Sequence, residues 1–312
     1  MAELMPPSAI VFREITLGDR GLICTYLGQE SFMISDISFG NLFLWRHARK
    51  IEFAVIHECL VIKTTYPNKP PFVFFPIGAG DKLCCLRVLK SYFASLGLPL
   101  EFHSLEASSV EMLNCVFGAV EARLNRDRSD YIYLTSNLIN LSGRKYHKKK
   151  NHLNRFFEEY KGFEFEEISS SNLDEVAGAC DLWSKNKSDV CAIDFNINSS
   201  LENEWAGIQA LLHDYDALGL RGGLLRHDGK IIAFSFGEVV SNSLCVIHVE
   251  KADTSYRGAY QAINQQLLAN CFQEVTYVNR EEDLGIEGLR KAKLSYNPDL
   301  ILEKYEAIIP IS

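Results

Sequence analysis

The chain has 312 residues, 32 Lys and Arg against 40 Asp and Glu, and a formal net charge of −8. The hydrophobic content of 47% excludes a disordered chain, and the length suits one large domain or two of ordinary size. No run approaches the ~20 apolar residues of a membrane span, and the N-terminus lacks the pattern of a secretion signal. The nine cysteines and eight histidines show no metal-ligand spacing, so we expect a cytoplasmic protein with no metal and no disulfides.

The first 120 residues alternate apolar helical runs with β-favouring runs. Two of the β-favouring runs flank a short turn at His57, which predicts a hairpin. A glycine-containing loop at 78–81 precedes a helix, and Asp81 has the position of its N-cap. In chain order we predict helices at 15–27 and 35–47, strands at 51–56, 60–65 and 72–76, a helix at 82–96, a strand at 100–103 and a helix at 109–117.

A strand followed by a strongly basic segment lies at the centre of the chain. Residues 131–134 alternate β-favouring side chains, which predicts a strand. After a polar turn, Ser142 has the position of an N-cap for a helix that starts at residue 143 or 144. From 144 to 157 there are six Lys and Arg and no acid.

The basic segment has two faces at helical spacing. An apolar stripe, spaced to pack on a core, comprises Tyr146, Leu153, Phe157 and Tyr160. A cationic face comprises Arg144, Lys148, His152 and Arg155. Like charges at this spacing repel, and cations in the first turns oppose the helix dipole, each at a cost of roughly a few tenths of a kcal/mol. Helix stability therefore does not explain the cationic face. The face predicts an anion site for the phosphates of a cofactor or of RNA, and a solvated surface helix is the alternative.

The C-terminal half repeats the order of the first half at an offset of about 170 residues. The turn at His57 corresponds to one at His227, and a strand and a helix follow each turn at nearly the same offset. This predicts a duplicated α/β unit. The predicted elements are a strand at 163–168, helices at 172–185 and 201–218, strands at 223–226, 231–239 and 244–249, and a helix at 258–272.

Three separated runs, at 130–156, 279–298 and 38–45, resemble signatures of the lysylphosphatidylglycerol synthase C-terminal domain family. The resemblance covers nearly the whole chain and identifies it as a soluble stand-alone member. It implies an α/β fold of two tandem GNAT-like acyltransferase subdomains, with mixed, mostly antiparallel sheets flanked by helices. We place the subdomains at 1–135 and 136–312, with the donor site in the second.

In the GNAT fold the acyl donor lies against a central strand, with its pyrophosphate on amides at the start of the next helix. In this chain the matching stretch is 248–261. The implied donor-binding residues are His248, Val249, Arg257, Gly258, Ala259, Tyr260 and Asn279, together with Arg144, Lys148 and Arg155 of the cationic face. The loop at 78–81 is interpreted as structural, because the charge of Asp81 would repel a phosphate.

Acyl transfer to an amine requires a group that takes the ammonium proton and something that protonates the leaving group. The candidates are Glu250, Glu282, Asp283 and Tyr296. Each of them could instead be an ion-pair partner or a helix cap.

The leading hypothesis is a soluble GNAT-type acyltransferase or aminoacyltransferase. Its donor would be a polyanion, either aminoacyl-tRNA or acyl-CoA, and its acceptor an amine or a hydroxyl. The alternative is a noncatalytic RNA- or nucleotide-binding module on a transferase scaffold.

Overall fold

The computed structural model describes Pro6, residues 9–188 and residues 195–311. The chain divides into two compact units. Unit 1 is the described part of Met1–Asp130, Glu282–Gly285 and Leu302–Ser312, and unit 2 is the described part of Tyr131–Glu281 and Ile286–Ile301.

Unit 1 is built on a seven-stranded sheet. Its strands are β1 (Arg13–Glu14), β2 (Lys50–Ile56), β3 (Cys59–Thr65), β4 (Phe72–Val73), β5 (Leu100–Leu105), β6 (Ala122–Leu124) and β14 (Tyr305–Ile309). Its helices are α1 (Arg20–Leu27), α2 (Phe39–Trp45), α3 (Lys82–Ser95) and α4 (Ala107–Phe117). The Asp81 side chain accepts a hydrogen bond from the Cys84 amide and caps α3, as predicted.

Unit 2 is built on a second seven-stranded sheet. Its strands are β7 (Asp130–Leu134), β8 (Glu164–Glu167), β9 (Arg221–His227), β10 (Lys230–Ser241), β11 (Leu244–Ala252), β12 (Tyr277–Asn279) and β13 (Leu300–Leu302). Its helices are α5 (Thr135–Asn140), α6 (His147–Glu159), α7 (Leu173–Ser188), α8 (Phe195–His213), α9 (Ala259–Cys271) and α10 (Glu287–Leu294).

The two sheets share one strand arrangement. Strand order is β1-β2-β3-β4-β5-β14-β6 in unit 1 and, read from the corresponding edge, β8-β9-β10-β11-β12-β7-β13 in unit 2. In each sheet three antiparallel pairings are followed by one parallel pairing, β4 with β5 and β11 with β12. The predicted class, an α/β fold with two mixed, mostly antiparallel sheets, is confirmed.

Each sheet contains one strand exchanged from the other half of the chain. The strand β7 follows unit 1 in the chain but pairs with β12 of unit 2, and β14 follows unit 2 but pairs with β5 and β6 of unit 1. The division at 135/136 therefore differs from the structure, in which Leu302–Ser312 belongs to unit 1. Local patterns predict strands but not their distant partners.

The hairpin turns of the two units correspond as predicted. In unit 1, His57 and Glu58 have φ of 48° and 61°, and in unit 2, Asp228 and Gly229 have φ of 49° and 74°. Two successive positive φ values are typical of the type I′ turn, whose twist suits a two-residue hairpin.

The basic segment differs from its predicted form at its start. The residues after Leu134 form the short helix α5 rather than a polar turn. Gly143 has a φ of 90°, residues Arg144–Tyr146 form a 3-10 turn, and α6 begins only at His147. The left-handed Gly143 breaks the helical path, so Ser142 is not the cap of α6.

Candidate functional site

The parallel strands of unit 2 part near the middle of β11. Only Leu244–Val246 of β11 pair with β12, which ends at Asn279, whereas β11 continues to Ala252. The next residue after β12, Arg280, donates from one terminal nitrogen to both carboxylate oxygens of Glu250 at 2.9 and 3.0 Å. The place where the strands separate therefore contains an ion pair.

Aromatic rings and a second cation surround this ion pair. The guanidinium carbon of Arg280 lies 4.9 Å from the ring centre of Tyr296 and 5.8 Å from that of Tyr133. Lys149 of α6 places its Nζ 3.9 Å from the ring centre of Tyr296. We call Lys149, Glu250, Arg280, Tyr133 and Tyr296 the Arg280 cluster.

The Arg280 cluster contains two cationic side chains and one carboxylate. The second terminal nitrogen of Arg280, Nη1, is buried and has no hydrogen-bond partner in the structure. Burial and the charge of Arg280 lower the pKa of Lys149 to about 8, and Glu250 opposes this only in part. The cluster can therefore offer a buried N–H donor and an amine that is partly neutral near neutral pH.

Of the predicted catalytic residues, Glu250 and Tyr296 lie together in this cluster. The Glu250 carboxylate also accepts from the Asn264 side chain at 3.1 Å. Burial raises the pKa of Tyr296, so its hydroxyl stays protonated across the physiological range.

Lys149, Arg280 and Tyr133 belong to the cluster but were not predicted. For Lys149 the sequence held a signal, since it lies three residues after Tyr146 and four before Leu153, on the apolar stripe of the basic segment. A lysine at such a position is directed toward the core. Arg280 gave no comparable signal, because its place depends on where β12 ends.

α6 packs against the start of α9 through Phe156 and the backbone of His152. A Cβ atom built on Gly258 would be 3.1 Å from Cβ of Phe156 and 3.2 Å from the carbonyl oxygen of His152. Arg144, Lys148, His152 and Arg155 are exposed, as is Arg257 just before α9. Exposed cations therefore occur on both segments that meet at this helix start, where amides lack partners within the helix.

Two amides of the predicted phosphate-binding loop already have partners. The Arg257 amide donates to the Tyr160 hydroxyl at 3.1 Å, and the Ala259 amide donates to the Tyr256 carbonyl at 3.1 Å. Gly258 has a φ of 93°, a backbone conformation that favours glycine. Gly258 and Tyr260 both lie at the start of α9.

His248, Val249 and Asn279 have structural contacts in unit 2. The two ring nitrogens of His248 lie 2.9 Å from Glu281 and 3.0 Å from Glu238, so neither nitrogen is left to bind an acyl donor. Burial alone would lower the pKa of His248, but the two carboxylates outweigh burial and raise it to about 9. Val249 is buried in β11, and Asn279 accepts the Glu281 amide at 2.6 Å.

The predicted catalytic acids Glu282 and Asp283 belong to unit 1 and not to the Arg280 cluster. Glu282 pairs with Arg128 at 2.7 Å. Asp283 is buried, pairs with Arg126 at 3.3 Å and accepts the Gly285 amide at 2.9 Å. Their contacts are those of ion-pair partners and a turn, the second interpretation that the sequence left open.

The loop at 78–81 in unit 1 is already occupied by side chains of its own unit. The Gly78 amide donates to Glu30 at 2.7 Å and the Ala79 amide donates to Gln29 at 2.9 Å. A carboxylate thus takes the place that a phosphate would need, and Lys82 pairs with the same carboxylate at 2.5 Å. These contacts agree with the structural interpretation of this loop.

Within the described residues, no group of three or more His, Cys, Asp or Glu side chains is arranged to hold a metal ion. The described helices include none with the length and apolar character that crossing a membrane requires.

Residues 31–308 match the family described as "Phosphatidylglycerol lysyltransferase, C-terminal". The chain belongs to this family.

The relatives agree on the fold. A crystal structure of a conserved protein of unknown function from Bacteroides thetaiotaomicron is 36% identical, covers 96% of this chain and 100% of that one, and has a TM-score of 0.90. The C-terminal domain of a putative lysylphosphatidylglycerol synthetase from Agrobacterium fabrum is 15% identical over 94% of this chain and 92% of that one, with a TM-score of 0.66. That similarity shows the fold alone.

A curated but uncharacterized protein of Mycoplasmoides gallisepticum is 26% identical over 183 residues, or 58% of this chain. The match spans 56% of that relative's length.

Proposed function

We propose that unit 2 is the catalytic unit of an acyl- or aminoacyltransferase with a polyanionic donor, either aminoacyl-tRNA or acyl-CoA. The acceptor is an amine or a hydroxyl. Membership of a transferase family supports the reaction class. The observation that carries the proposal is the packing of α6, which has exposed cations at Lys148 and Arg155, against the start of α9.

The cationic face supports a polyanionic donor because its charges are unexplained by folding. Lys148 and Arg155 on α6 are exposed, as is Arg144 in the turn before it, and a cation such as Lys148 in the first turn opposes the helix dipole. Next to the start of α9 they add to the positive end of a helix dipole, and both features favour phosphate groups.

The Arg280 cluster supports group transfer to an amine. The acceptor nitrogen forms a bond to the donor carbonyl carbon, and the oxyanion that develops is stabilised by the buried Nη1 of Arg280. Neutral Lys149 takes the proton from the nitrogen. The C–O bond of a tRNA ester, or the C–S bond of a thioester, then breaks, and Lys149 returns that proton to the leaving atom.

The remaining members of the cluster position these two groups. Glu250 holds Arg280 by two hydrogen bonds on its other terminal nitrogen, which leaves Nη1 available. The ring of Tyr296 contacts both cations and fixes their separation.

The test neutralises the cationic face with the triple change Arg144→Gln, Lys148→Gln and Arg155→Gln. Binding of aminoacyl-tRNA and of acetyl-CoA is measured as a function of salt, along with the melting temperature. Binding of the true donor should fall, and for RNA the slope of log affinity against log salt should decrease by about one per lost phosphate contact. The melting temperature should not fall, because like-charge repulsion is relieved.

A matched control removes the same charge elsewhere through Lys69→Gln, Arg87→Gln and Lys230→Gln, three exposed positions outside α6. Equal loss of binding in both triple variants would reduce the effect to net charge and contradict the proposal. RNA binding without transfer to any amine or hydroxyl acceptor would favour the noncatalytic binding module.

A further inference from the structure

Unit 1 contains a cavity of about 200 Å³ where β4 and β5 diverge. Part of its wall is aromatic. The ring of Phe72 stacks on the imidazole of His103 with centres 3.9 Å apart and an 11° interplanar angle. The ring of Tyr66 also stacks with that of Phe72, with centres 6.2 Å apart. A cavity of this size lies below the ~300–1,000 Å³ of sites for drug-sized ligands, so it suits a molecule of a few carbons rather than a nucleotide.

The charged groups at the floor of the cavity pair mainly with one another. Lys304 is buried between Asp36 and Asp130, with its Nζ 2.7 Å from Asp130. Arg128 bridges Asp36 at 2.8 Å and Glu282 at 2.7 Å. These ion pairs engage the cationic groups of Lys304 and Arg128, so the paired side chains form a fixed floor of the cavity.

Arg49 is the cationic lining residue with spare donor capacity. It is 5% exposed, and its Nη1 donates to the Tyr66 hydroxyl at 2.8 Å. Its Nε is buried and has no hydrogen-bond partner. A buried guanidinium N–H without an acceptor carries a desolvation penalty that a bound carboxylate would remove.

Glu306 supplies the complementary charge among the lining residues. One carboxylate oxygen accepts from Asn125 at 2.6 Å, and the other lies 4.0 Å from the exposed Arg123. Together with the floor, Arg49 and Glu306 leave the cavity without an excess of positive charge. A ligand with both charges therefore suits it better than a simple anion, because neither charge would be buried unpaired.

We propose that the unit 1 cavity binds a small zwitterion, an amine that carries a carboxylate and a short apolar body. The carboxylate pairs with Arg49, the ammonium pairs with Glu306, and the apolar body packs against Phe72. This site is separate from the donor site proposed for unit 2, and its binding is tested without turnover, so either proposal can fail alone.

The test uses three probes that share one branched carbon body: L-leucine, 4-methylpentanoate and 3-methylbutylamine. Their affinities for the full chain are measured by calorimetry. L-Leucine should bind at least about tenfold more tightly than either singly charged analogue. Arg49→Met should reduce the affinity for L-leucine to that for 3-methylbutylamine. Glu306→Gln should reduce it to that for 4-methylpentanoate.

The control is Arg87→Gln, which removes an exposed charge of α3 that does not line the cavity and should leave L-leucine binding unchanged. Since Arg49 is buried, Arg49→Lys is measured in parallel, with the melting temperature of each variant. It keeps the charge but not the planar donors, so it should weaken L-leucine binding in a folded protein. Equal affinity for L-leucine and 4-methylpentanoate, or no binding of L-leucine at about 10 mM, would overturn the proposal.

Discussion

His248 in unit 2 is a buried cation held between two carboxylates. Its side chain is fully buried, and Glu238 and Glu281 accept from its two ring nitrogens. The ordinary pKa of histidine is near 6.5, and here it is raised to about 9. The protonated form is therefore the one that the fold stabilises, and this contribution is fully present below about pH 6.5 and lost as the pH rises through about 9.

We predict that His248→Gln destabilises the protein most at low pH. The difference in unfolding free energy between wild type and variant should be larger at pH 6 than at pH 10, by up to about 3 kcal/mol. Urea unfolding of both proteins at the two pH values measures this difference. Subtracting the unfolding free energy of the variant from that of the wild type at each pH cancels the titration of the groups that both proteins share. A difference independent of pH would show that His248 is neutral in the folded protein.

Lys149 provides a second test at the scale of one residue. Its pKa is lowered to about 8 by burial and by Arg280, so we expect its ¹³Cε resonance to titrate near pH 8 while exposed lysines titrate near 10.4. Lys149→Arg assigns the resonance by its loss. Because the neutral amine is the base in the proposed reaction, kcat/KM should rise with pH and level off above about 8, and Lys149→Arg should abolish both the activity and this dependence.

At the scale of elements, the packing of α6 on the start of α9 depends on Gly258. An alanine there combines a φ of 93° with a Cβ only 3.1 Å from Phe156 and 3.2 Å from a backbone oxygen. We predict that Gly258→Ala lowers stability by about 2–3 kcal/mol and weakens binding of the polyanionic donor, because α6 must move.

Gly229→Ala is the matched control for Gly258→Ala. Gly229 also has a positive φ, 74°, but a Cβ there meets nothing within 4 Å. Gly229→Ala should lower stability only by the backbone strain of about 1–2 kcal/mol and leave donor binding intact. If the two variants lose equal stability and bind the donor equally well, then the contact of Gly258 with α6 contributes neither to stability nor to donor binding.

The sequence predicted elements well where the information is local. The hairpin at His57, the cap at Asp81 and the strand at 131–134 each follow from residue types within a few positions, and the structure contains all three. The side chains of Glu30 and Gln29 that fill the loop at 78–81 were not predictable, because they come from almost 50 residues earlier. The place of Glu282 in unit 1 likewise depends on a long-range ion pair with Arg128.

At the scale of the whole molecule, the exchanged strands make each unit depend on the other half of the chain. Unit 1 needs β14 between β5 and β6, and unit 2 needs β7 beside β12. A fragment of residues 1–135 lacks β14, and a fragment of 136–312 lacks β7, so each would expose unpaired strand edges.

We therefore predict that neither fragment folds alone. Each should show low amide protection in hydrogen exchange and a tendency to aggregate, whereas coexpression of the two should restore a soluble complex with native protection. A fragment moved to residues 1–130 and joined by a short glycine-rich linker to 302–311 should fold better than 1–135. Cooperative unfolding of 1–135 by itself would contradict the prediction.

The position of β14 also sets when the protein can fold during synthesis. Chains grow at about 5–20 residues per second, and most domains fold as they emerge from the ribosome, N-terminal first. Here the sheet that begins with residue 13 also contains β14, at residues 305–309. Unit 1 must therefore wait until residues 305–309 have been made, and a chain that stops before residue 305 lacks a strand of its first sheet. Ribosomal stalling or a stop codon shortly before residue 305 would thus yield a product that proteases recognise as unfolded.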